Sequence, residues 1–217
     1  EIDQCTTVHS MNASMLTMAL AETLGFAGAD VKAVGEAALL HDVGKTRIPV
    51  EIIQKPGSLS PDEWEIMMTH PTEGARILIN SGPEMELAAV VAYEHHIKHD
   101  GSGYPALRYE RRLHRATELI QVCDVYDALR TRRPFRDPWT PDRIVSHLQE
   151  ESGKSFHPGA VRSFLGMLSQ WEGHPGIAEL PSDERRADER RSDERRTAER
   201  RAPTFRKTGR SRLEAVE

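Results

Sequence analysis

A histidine and an aspartate close an apolar helical stripe in the first quarter of the chain. Counting at i, i+4, i+7 and i+8 from Val34 gives Val34, Ala38, His41 and Asp42. Ionisable side chains on a core-facing stripe are costly unless they pair with each other or bind a metal ion. Neighbouring side chains on a helix point about 100° apart, so His41 and Asp42 can flank one ion, and the carboxylate can bridge two. A buried hydrogen-bonded pair without metal is the commoner arrangement, and the pair alone leaves both interpretations open.

The same two residue types recur on later helical segments. The candidate metal ligands are five histidines and two aspartates, spread over five segments: His9, His41, Asp42, His70, His95, His96 and Asp124. A helical bundle can project such ligands inward from facing helices. Imidazole combined with carboxylate suits Fe, Mn or Zn better than Ca or Mg. Seven ligands with one bridging aspartate can hold two ions and leave positions for water and substrate.

The charge balance argues against nucleic acid as the main partner. The 217 residues carry 29 Lys+Arg and 34 Asp+Glu, a formal net charge of -5. Residues 173–217 hold 12 of the basic and 10 of the acidic residues, which leaves a net charge of -7 on residues 1–172. Because phosphate backbones favour a basic face, we expect neither DNA nor RNA as a partner.

Cysteine content and hydropathy indicate a reducing compartment and no membrane segment. Two cysteines, Cys5 and Cys123, are too few for a disulfide scaffold. The longest apolar run, Leu87 to Tyr93, is far shorter than the roughly 20 residues that span a bilayer. No signal peptide is recognisable, and we expect a cytoplasmic location. The chain begins at Glu1 without a methionine, which suggests a piece of a longer protein.

Helical periodicity dominates up to about residue 170 and no alternating strand pattern is convincing, so the predicted fold class is all-α. The predicted helices cover residues 8–24, 30–43, 60–79 with a break at Pro71, 84–96, 116–129, 142–150 and 158–171. Asp30 is the predicted N-cap of the second helix and Gly44 its stop, while Gly25 and Gly28 end the first.

Local signals predict the start and the packing of the next helix. Ser60-Pro61-Asp62-Glu63 combines a capping residue, a proline in the first turn and acids at the positive end of the dipole. Trp64, Met67 and Met68 are interpreted as core residues of this helix. Cys123 is interpreted as a small buried packing residue.

From Ser182 the chain repeats every five residues as DERRA, DERRS, DERRT and AERRA. Five residues turn an α-helix by about 500°, so equivalent positions never share one face and cannot bury an apolar stripe. The prediction is one folded domain over residues 1–172 and a charged, disordered tail over residues 173–217. Transient helix stabilised by i,i+4 charge pairs is the alternative.

An ordered series of motifs resembles the HD-GYP domain, a helical branch of the HD metal-dependent phosphohydrolases. In chain order the motifs are His41-Asp42-Val43-Gly44-Lys45, Ile48-Pro49, Lys55-Pro56-Gly57, Thr69-His70-Pro71, His95-His96, Asp100-Gly101-Ser102-Gly103-Tyr104-Pro105, Asp124-Val125-Tyr126-Asp127-Ala128-Leu129 and Arg133-Pro134-Phe135-Arg136. The resemblance covers residues 1 to about 170 and implies an HD-superfamily helical bundle. It also implies hydrolysis of the bacterial messenger cyclic di-GMP to linear pGpG and, in several family members, to GMP.

The resemblance further implies a role for each site residue. The metal ligands would be the seven residues named above, with Asp42 bridging two ions, iron or manganese in this family. Lys45 would contact a phosphate oxygen or the attacking water, and Asp127 would support the site from just behind Asp124. The dinucleotide would be held by Tyr104 and Gly103 of the loop, together with Arg133 and Arg136. Receiver or sensor domains and other signalling domains are expected partners by analogy alone.

Electrostatics agree with the roles that the resemblance implies. Cyclic di-GMP is a dianion, and the carboxylate ligands would repel it if no metal cations were bound. Two ions about 3.5–4 Å apart can activate a hydroxide and clamp both oxygens of an in-line displacement. Metal-bound water reaches a pKa near 7, so no separate strong base is required.

Three departures from the family pattern qualify this interpretation. Members with a third metal have a glutamate four residues before the first ligand histidine, where this chain has Cys5, so two metals are predicted. Ile97 follows the histidine pair where glutamate is commoner, and Glu94 precedes it. The segment between Pro105 and Asp124 is also short. Two alternatives stay open: a catalytically weak signalling module that binds partner proteins, and an HD phosphohydrolase acting on another nucleotide.

Overall fold

The all-α prediction is confirmed by a computed structural model that describes residues 2–109, 111–131 and 137–172. Within these ranges the only β features are two isolated bridges, Ile97 with Gly103 and Ser152 with Phe156. The α-helices are α1 (Ile2–Thr23), α2 (Gly28–Leu40), α3 (Val50–Ile53), α4 (Pro61–Met67), α5 (His70–Ile79), α6 (Glu86–Glu94), α7 (Arg115–Arg130), α8 (Pro141–Glu150) and α9 (Pro158–Glu172). Two short 3-10 helices cover Val43–Arg47 and Pro83–Met85.

The junction between α1 and α2 confirms one sequence prediction and corrects another. Gly25 follows the end of α1 with a φ of 76°, the left-handed conformation that glycine adopts freely. Asp30 is not the N-cap of α2, and Gly28 belongs to this helix rather than to the end of α1. The carbonyl oxygen of Ala27 accepts the first bond of α2, from the amide of Val31 at 2.9 Å. Asp30 stands instead in the first turn, where its charge still faces the positive end of the dipole.

The prediction that Gly44 stops α2 is wrong. The α-helix ends at Leu40, and Gly44 lies in the 3-10 helix that follows. A Cβ at Gly44 would lie 1.9 Å from the carbonyl oxygen of His70 and 2.5 Å from the amide nitrogen of Gly74. Glycine is therefore required by the close approach of two backbone segments, not by a helix stop. This approach brings the start of α5 against the turn after α2.

The predicted start of α4 is confirmed, whereas its predicted packing is wrong. The Ser60 hydroxyl accepts from the amide of Glu63 at 3.3 Å, and the Ser60 amide donates to the Glu63 carboxylate at 2.6 Å, which forms a capping box. Pro71 stands in the first turn of α5, at the predicted break. No residue of α4 is buried, and Trp64 is 47% exposed. The apolar positions of this helix therefore do not belong to the core.

Two clusters of buried apolar side chains hold the bundle together. One joins α1, α7, α8 and α9 and includes Leu20 and Phe164, both fully buried. The other joins α2, α5, α6 and α7 and consists mainly of small side chains such as Ala37 and Ala92. Full burial of one leucine or phenylalanine contributes about 1.5–3 kcal/mol. Because α7 contributes to both clusters, it is the central helix of the described part.

Several predictions fall on residues outside the described ranges. They are the domain boundary after residue 172, the tail over residues 173–217, and the roles of Arg133 and Arg136. They stay predictions. No helix of the described residues combines the length and the apolar character that crossing a membrane requires.

Candidate metal centre

Three histidines are oriented by the same local contact. The Nδ1 atoms of His41, His70 and His95 lie 2.6, 2.7 and 2.8 Å from the backbone carbonyl oxygen three residues earlier. A carbonyl oxygen can only accept, so Nδ1 carries the proton and donates it. In the neutral ring this leaves Nε2 unprotonated, with its lone pair available to a metal ion. Each of these histidines stands at a helix boundary, where the chain turns and the ring can face inward.

The first cluster consists of Asp42, His70, His95 and His96. The Nε2 atoms of His70 and His95 are 3.2 Å apart, and Oδ1 of Asp42 lies 3.3 and 3.6 Å from them. Because both Nδ1 protons are donated to backbone carbonyl oxygens, a ring without a second proton has none to place between these atoms. Oδ1 of Asp42 is buried and has no hydrogen-bond partner among the described residues. A divalent cation would satisfy all three atoms, so the donor set fits a metal ion.

Burial keeps His95 and His96 neutral. It lowers the pKa of His95, although Asp42 opposes this effect. Burial and the neighbouring His95 and His70 lower the pKa of His96 to about 2. Neutral imidazole is the form that binds metal, so His95 and His96 are in the ligating state at neutral pH.

The second cluster consists of His9, His41 and Asp124. Oδ1 of Asp124 lies 2.8 Å from Nε2 of His9 and 3.8 Å from Nε2 of His41. Oδ2 of Asp42 lies 3.4 Å from Nε2 of His41, while its Oδ1 faces the first cluster. The tertiary structure thus brings all seven candidate ligands together, and one carboxylate offers an oxygen atom to each cluster.

The charges around the two carboxylates explain why both stay ionised in the interior. Burial would raise the pKa of Asp42, but the Lys45 ammonium and His41 hold it well below its usual range. Burial would likewise raise the pKa of Asp124, but the hydrogen bond from His9 and the charge of His41 lower it. The facing carboxylates of Asp42 and Asp124 in turn raise the pKa of His41 against the effect of burial.

His9 connects α1 to α7 through both ring nitrogens. Its Nδ1 lies 2.7 Å from Oδ2 of Asp127 and its Nε2 lies 2.8 Å from Oδ1 of Asp124. Burial alone would lower the pKa of His9, but the two carboxylates outweigh it and raise the pKa to about 9. A metal ion beside Asp124 would take the place of the Nε2 proton. The Nδ1 proton would stay on His9 and be donated to Asp127. Asp127, one helical turn after Asp124, therefore supports the site through its hydrogen bond with His9 and not through a contact with Asp124.

Lys45 lies on the first 3-10 helix, at the edge of the two clusters. Its ammonium donates to Oδ2 of Asp42, and its side chain is 31% exposed. The charge thus stands between the buried carboxylate and solvent, where an anionic ligand would approach. The amide of Lys45 also donates to the carbonyl oxygen of Asp42 at 2.9 Å, which closes the turn that carries both residues.

Tyr104 lies on the rim of the first cluster because its loop folds back on the histidine pair. Gly103 has a φ of 93°, and a Cβ there would lie 2.2 Å from the carbonyl oxygen of His96. The amide of Tyr104 donates to that same oxygen at 3.2 Å. The Tyr104 ring stacks on the His96 ring with a centroid separation of 4.6 Å and an angle of 30°. Burial and the charges of Asp42 and Asp124 raise the pKa of Tyr104, so its hydroxyl stays protonated.

Two polar residues that the sequence prediction missed hold the histidine pair in place. The side-chain amide of Gln121 donates to the carbonyl oxygen of Ile97 at 2.6 Å and to that of His95 at 3.2 Å. Glu94 is fully buried and accepts from the Thr117 hydroxyl at 2.8 Å. The sequence offered one signal for each residue: Gln121 is an amide inside the apolar stretch of α7, and Glu94 is an acid at the end of an apolar run.

The structure describes the side chain of one of the two cysteines. Cys123 is fully buried, as predicted, and burial raises the pKa of its thiol to about 12. Cys5 lies on α1, but its side chain lies outside the part that the structure describes. Arg133 and Arg136, the predicted dinucleotide-binding arginines, also lie outside it.

Sequence comparison identifies relatives over most of the described part. A model of the HD domain family matches residues 3–159. A Thermotoga maritima protein named cyclic di-GMP phosphodiesterase is 39% identical over 158 residues, which cover 72% of this chain and 43% of that protein. A Vibrio cholerae protein named 3'3'-cGAMP-specific phosphodiesterase 2 is 35% identical over 178 residues, which cover 81% of this chain and 34% of that protein. The chain thus spans less than half the length of these relatives.

Comparison with solved structures supports the fold. The chain is similar to Bd1817, a HDG"Y"P protein from Bdellovibrio bacteriovorus, with a TM-score of 0.59 and 21% sequence identity. The match covers 76% of this chain and 52% of that one. At this identity the likeness concerns the path of the helices.

Proposed function

The chain belongs to the HD domain family, as its motifs indicated, and from this premise we propose that it is a metal-dependent phosphodiesterase acting on cyclic di-GMP. Hydrolysis of one P–O3′ bond consumes one water and yields the linear dinucleotide pGpG, which carries a 5′-phosphate and a free 3′-hydroxyl. Hydrolysis of the second bond would yield GMP and is tested separately below.

The position of Asp42 between the two clusters carries this proposal. One of its oxygens faces His70 and His95, and the other faces His41. A buried carboxylate with one unpartnered oxygen next to unprotonated Nε2 atoms is unfavourable unless cations are bound. Two cations on either side of Asp42 would remove this cost, and they would offset the negative charge that a phosphodiester meets here.

We infer that the ions are iron or manganese. The donors are imidazole nitrogens and carboxylate oxygens, a mixture that suits Fe, Mn or Zn, and the HD-GYP resemblance narrows the set to Fe or Mn. When bound, such ions would supply Lewis-acid activation of water and of the phosphodiester. The chain itself supplies the ligands, their orientation through the Nδ1 contacts, and Asp127 as acceptor of the Nδ1 proton of His9.

Other residues of the site would bind and orient the dinucleotide. The Lys45 ammonium, at the solvent edge of Asp42, would contact a phosphate oxygen and stabilise negative charge that develops in the transition state. Tyr104 would contact the dinucleotide from the rim of the first cluster, with Gly103 in the same loop. The guanidinium groups of Arg133 and Arg136 would form bidentate contacts with phosphate or with a guanine edge.

A second cyclic dinucleotide is the main alternative substrate. The Vibrio cholerae relative that is 35% identical carries the name of a 3'3'-cGAMP-specific phosphodiesterase. The two messengers share the phosphodiester ring, which the metal centre would contact, and differ in one base. A signalling module without turnover is the third candidate, because sequence alone does not separate binding from catalysis. Control by a receiver or sensor domain, and a cytoplasmic location, stay predictions.

Metal analysis and turnover, measured on one sample, test the proposal. The chain is purified without chelators, its metals are quantified, and it is incubated with cyclic di-GMP, 3'3'-cGAMP and a guanosine tetraphosphate. We expect about two Fe or Mn ions per chain and conversion of cyclic di-GMP to pGpG. Chromatography of the products over time shows whether GMP follows.

The outcomes separate the three candidates. If 3'3'-cGAMP is turned over faster than cyclic di-GMP, 3'3'-cGAMP would be identified as the substrate. Two metals with no turnover of any cyclic dinucleotide would overturn the phosphodiesterase proposal. Partner binding that survives in Asp42→Ala, with an inactive wild type, would favour the signalling module.

A further inference from the structure

Trp64 is an exposed aromatic residue next to the candidate metal centre. It lies on α4, where 47% of its surface is exposed, although large aromatic side chains bury most of their surface on average. Its ring centroid lies 5.9 Å from that of Tyr104, at an angle of 76°. One edge-to-face contact therefore fixes the indole, while much of the ring system stays open to solvent.

The ring of Tyr104 lies between Trp64 and the candidate metal ligands. Tyr104 stacks on His96 at 4.6 Å, and its centroid lies 6.2 Å from that of His70. His96 in turn lies 4.1 Å from His95. A phosphate held at the first cluster would thus have Tyr104 beside it and the indole of Trp64 one ring further out. In a nucleotide the base is separated from its phosphate by one ribose, so a base would lie in this outer region.

The contacts that hold α4 in place indicate that this helix positions Trp64. A seven-residue helix with no buried residue obtains no stability from the core, and isolated helices of this length are unstable in water. The capping box of Ser60 and Glu63 stabilises its start. The ammonium of Lys55, on the preceding loop, forms an ion pair with Glu63 at 2.5 Å. These contacts fix the residue next to Trp64 in sequence, and so fix the indole over Tyr104.

We propose that the exposed indole of Trp64, held by α4 over Tyr104, is the stacking platform for one purine base of a cyclic dinucleotide whose phosphate binds at the first cluster. This inference rests on the proposed function and adds a base-binding residue to the site. Stacking on an aromatic side chain recognises the flat face common to all bases and contributes strongly to nucleotide affinity. A purine offers the larger face, which matches an indole.

Binding and fluorescence together test this role. The probe is a phosphorothioate analogue of cyclic di-GMP, added to the manganese-loaded full chain, with its Kd measured by calorimetry. Trp64→Ala is expected to weaken binding about 5- to 150-fold, which corresponds to the cost of removing one stacking aromatic residue. Trp64→Phe is expected to retain affinity within about threefold because it keeps a ring, yet to lose the change in tryptophan fluorescence that the ligand causes in the wild type.

Trp171→Phe is the matched control, because Trp171 is 59% exposed on α9 and has no part in the site. It is expected to retain both the affinity and the fluorescence change. The metal content of each variant shows that the ligand set stays assembled.

The results separate this inference from the proposed function. A wild type that neither binds nor hydrolyses cyclic dinucleotides overturns both. A wild type that binds, with Trp64→Ala binding equally well, overturns the stacking role alone. A fluorescence change that persists in Trp64→Phe also overturns it, because the ligand would then be sensed by another tryptophan.

Discussion

Asp127 on α7 accepts a hydrogen bond from Nδ1 of His9 on α1 at 2.7 Å, across 118 positions of sequence. The contact joins the first and the central helix of the bundle at the second cluster. It orients the His9 ring so that Nε2 faces Asp124. A buried carboxylate behind a histidine is a common support for metal ligation. Metal binding at the second cluster would therefore be coupled to the packing of α1 on α7.

The proton held by His9 should make metal binding dependent on pH. The pKa of His9 is raised to about 9, so this ring is protonated at pH 7, and a metal ion must displace the Nε2 proton. Affinity should rise about tenfold per pH unit from pH 7 and level off above pH 9, as expected for release of one proton. Competition with a chelator of known protonation constants measures this slope.

Asp127→Asn should move that dependence to lower pH. The substitution removes one of the two carboxylate charges that raise the pKa of His9. The plateau in metal affinity should therefore begin below pH 9. Asp142→Asn, at an exposed position on α8, is the control and should leave the plateau in place. An affinity that is constant between pH 7 and pH 9 in the wild type would contradict the assignment of His9 as a ligand.

Asp42→Ala should abolish metal binding and turnover together. The side chain faces both clusters, so its loss removes a ligand from each ion at once. Elemental analysis should find less than one metal ion per chain, and cyclic di-GMP should stay intact. Asp30→Ala, an exposed aspartate on α2, should retain both metals. Full metal content in Asp42→Ala would show that this carboxylate is no bridge.

Lys45→Ala should keep the metals and slow the reaction. Its ammonium contacts Asp42 but is no metal donor, and its partly exposed side chain lies where a substrate phosphate would approach. We expect kcat to fall about 100- to 1,000-fold, since loss of one donor to a developing oxyanion has effects of this order. Lys32→Ala is the control because Lys32 is 77% exposed and pairs with Glu36 on α2. Unchanged kcat with normal metal content would exclude a role for Lys45 in the transition state.

Gly103→Ala should impair activity much more than Gly101→Ala does. Both glycines have a positive φ, of 93° and 86°, so alanine strains the backbone at either position by about 1–2 kcal/mol. Only at Gly103 would the new Cβ meet backbone, 2.2 Å from the carbonyl oxygen of His96. The loop must then move, and Tyr104 moves with it.

The two glycine variants differ in a measurable way. We expect kcat/KM for cyclic di-GMP to fall more than about tenfold in Gly103→Ala, and less than about threefold in Gly101→Ala. The thermal midpoint of each variant shows how much of the loss comes from stability. Equal activity losses in the two variants would mean that the placement of Tyr104 on His96 does not matter.

Local sequence features predicted much of the fold and the identity of the candidate ligands. The start of α4 at Ser60, the proline break at His70 and the end of α1 before Gly25 depend on residues within a few positions of one another. Such preferences are properties of short peptides, so they can be recognised without knowledge of the fold. The motif series around Asp42 likewise indicated which residue types would meet.

The tertiary structure alone decided which atoms meet. Helical periodicity assigns a residue to a face of its helix, but it does not say which residue of another helix lies opposite. The contact of His9 with Asp127, the division of the Asp42 oxygens between two clusters, and the contact of Gly44 with the carbonyl oxygen of His70 all depend on long-range packing. Trp64 was predicted to be buried because it is apolar. It is exposed because the described residues bury no position of α4, and such burial depends on the packing of distant segments.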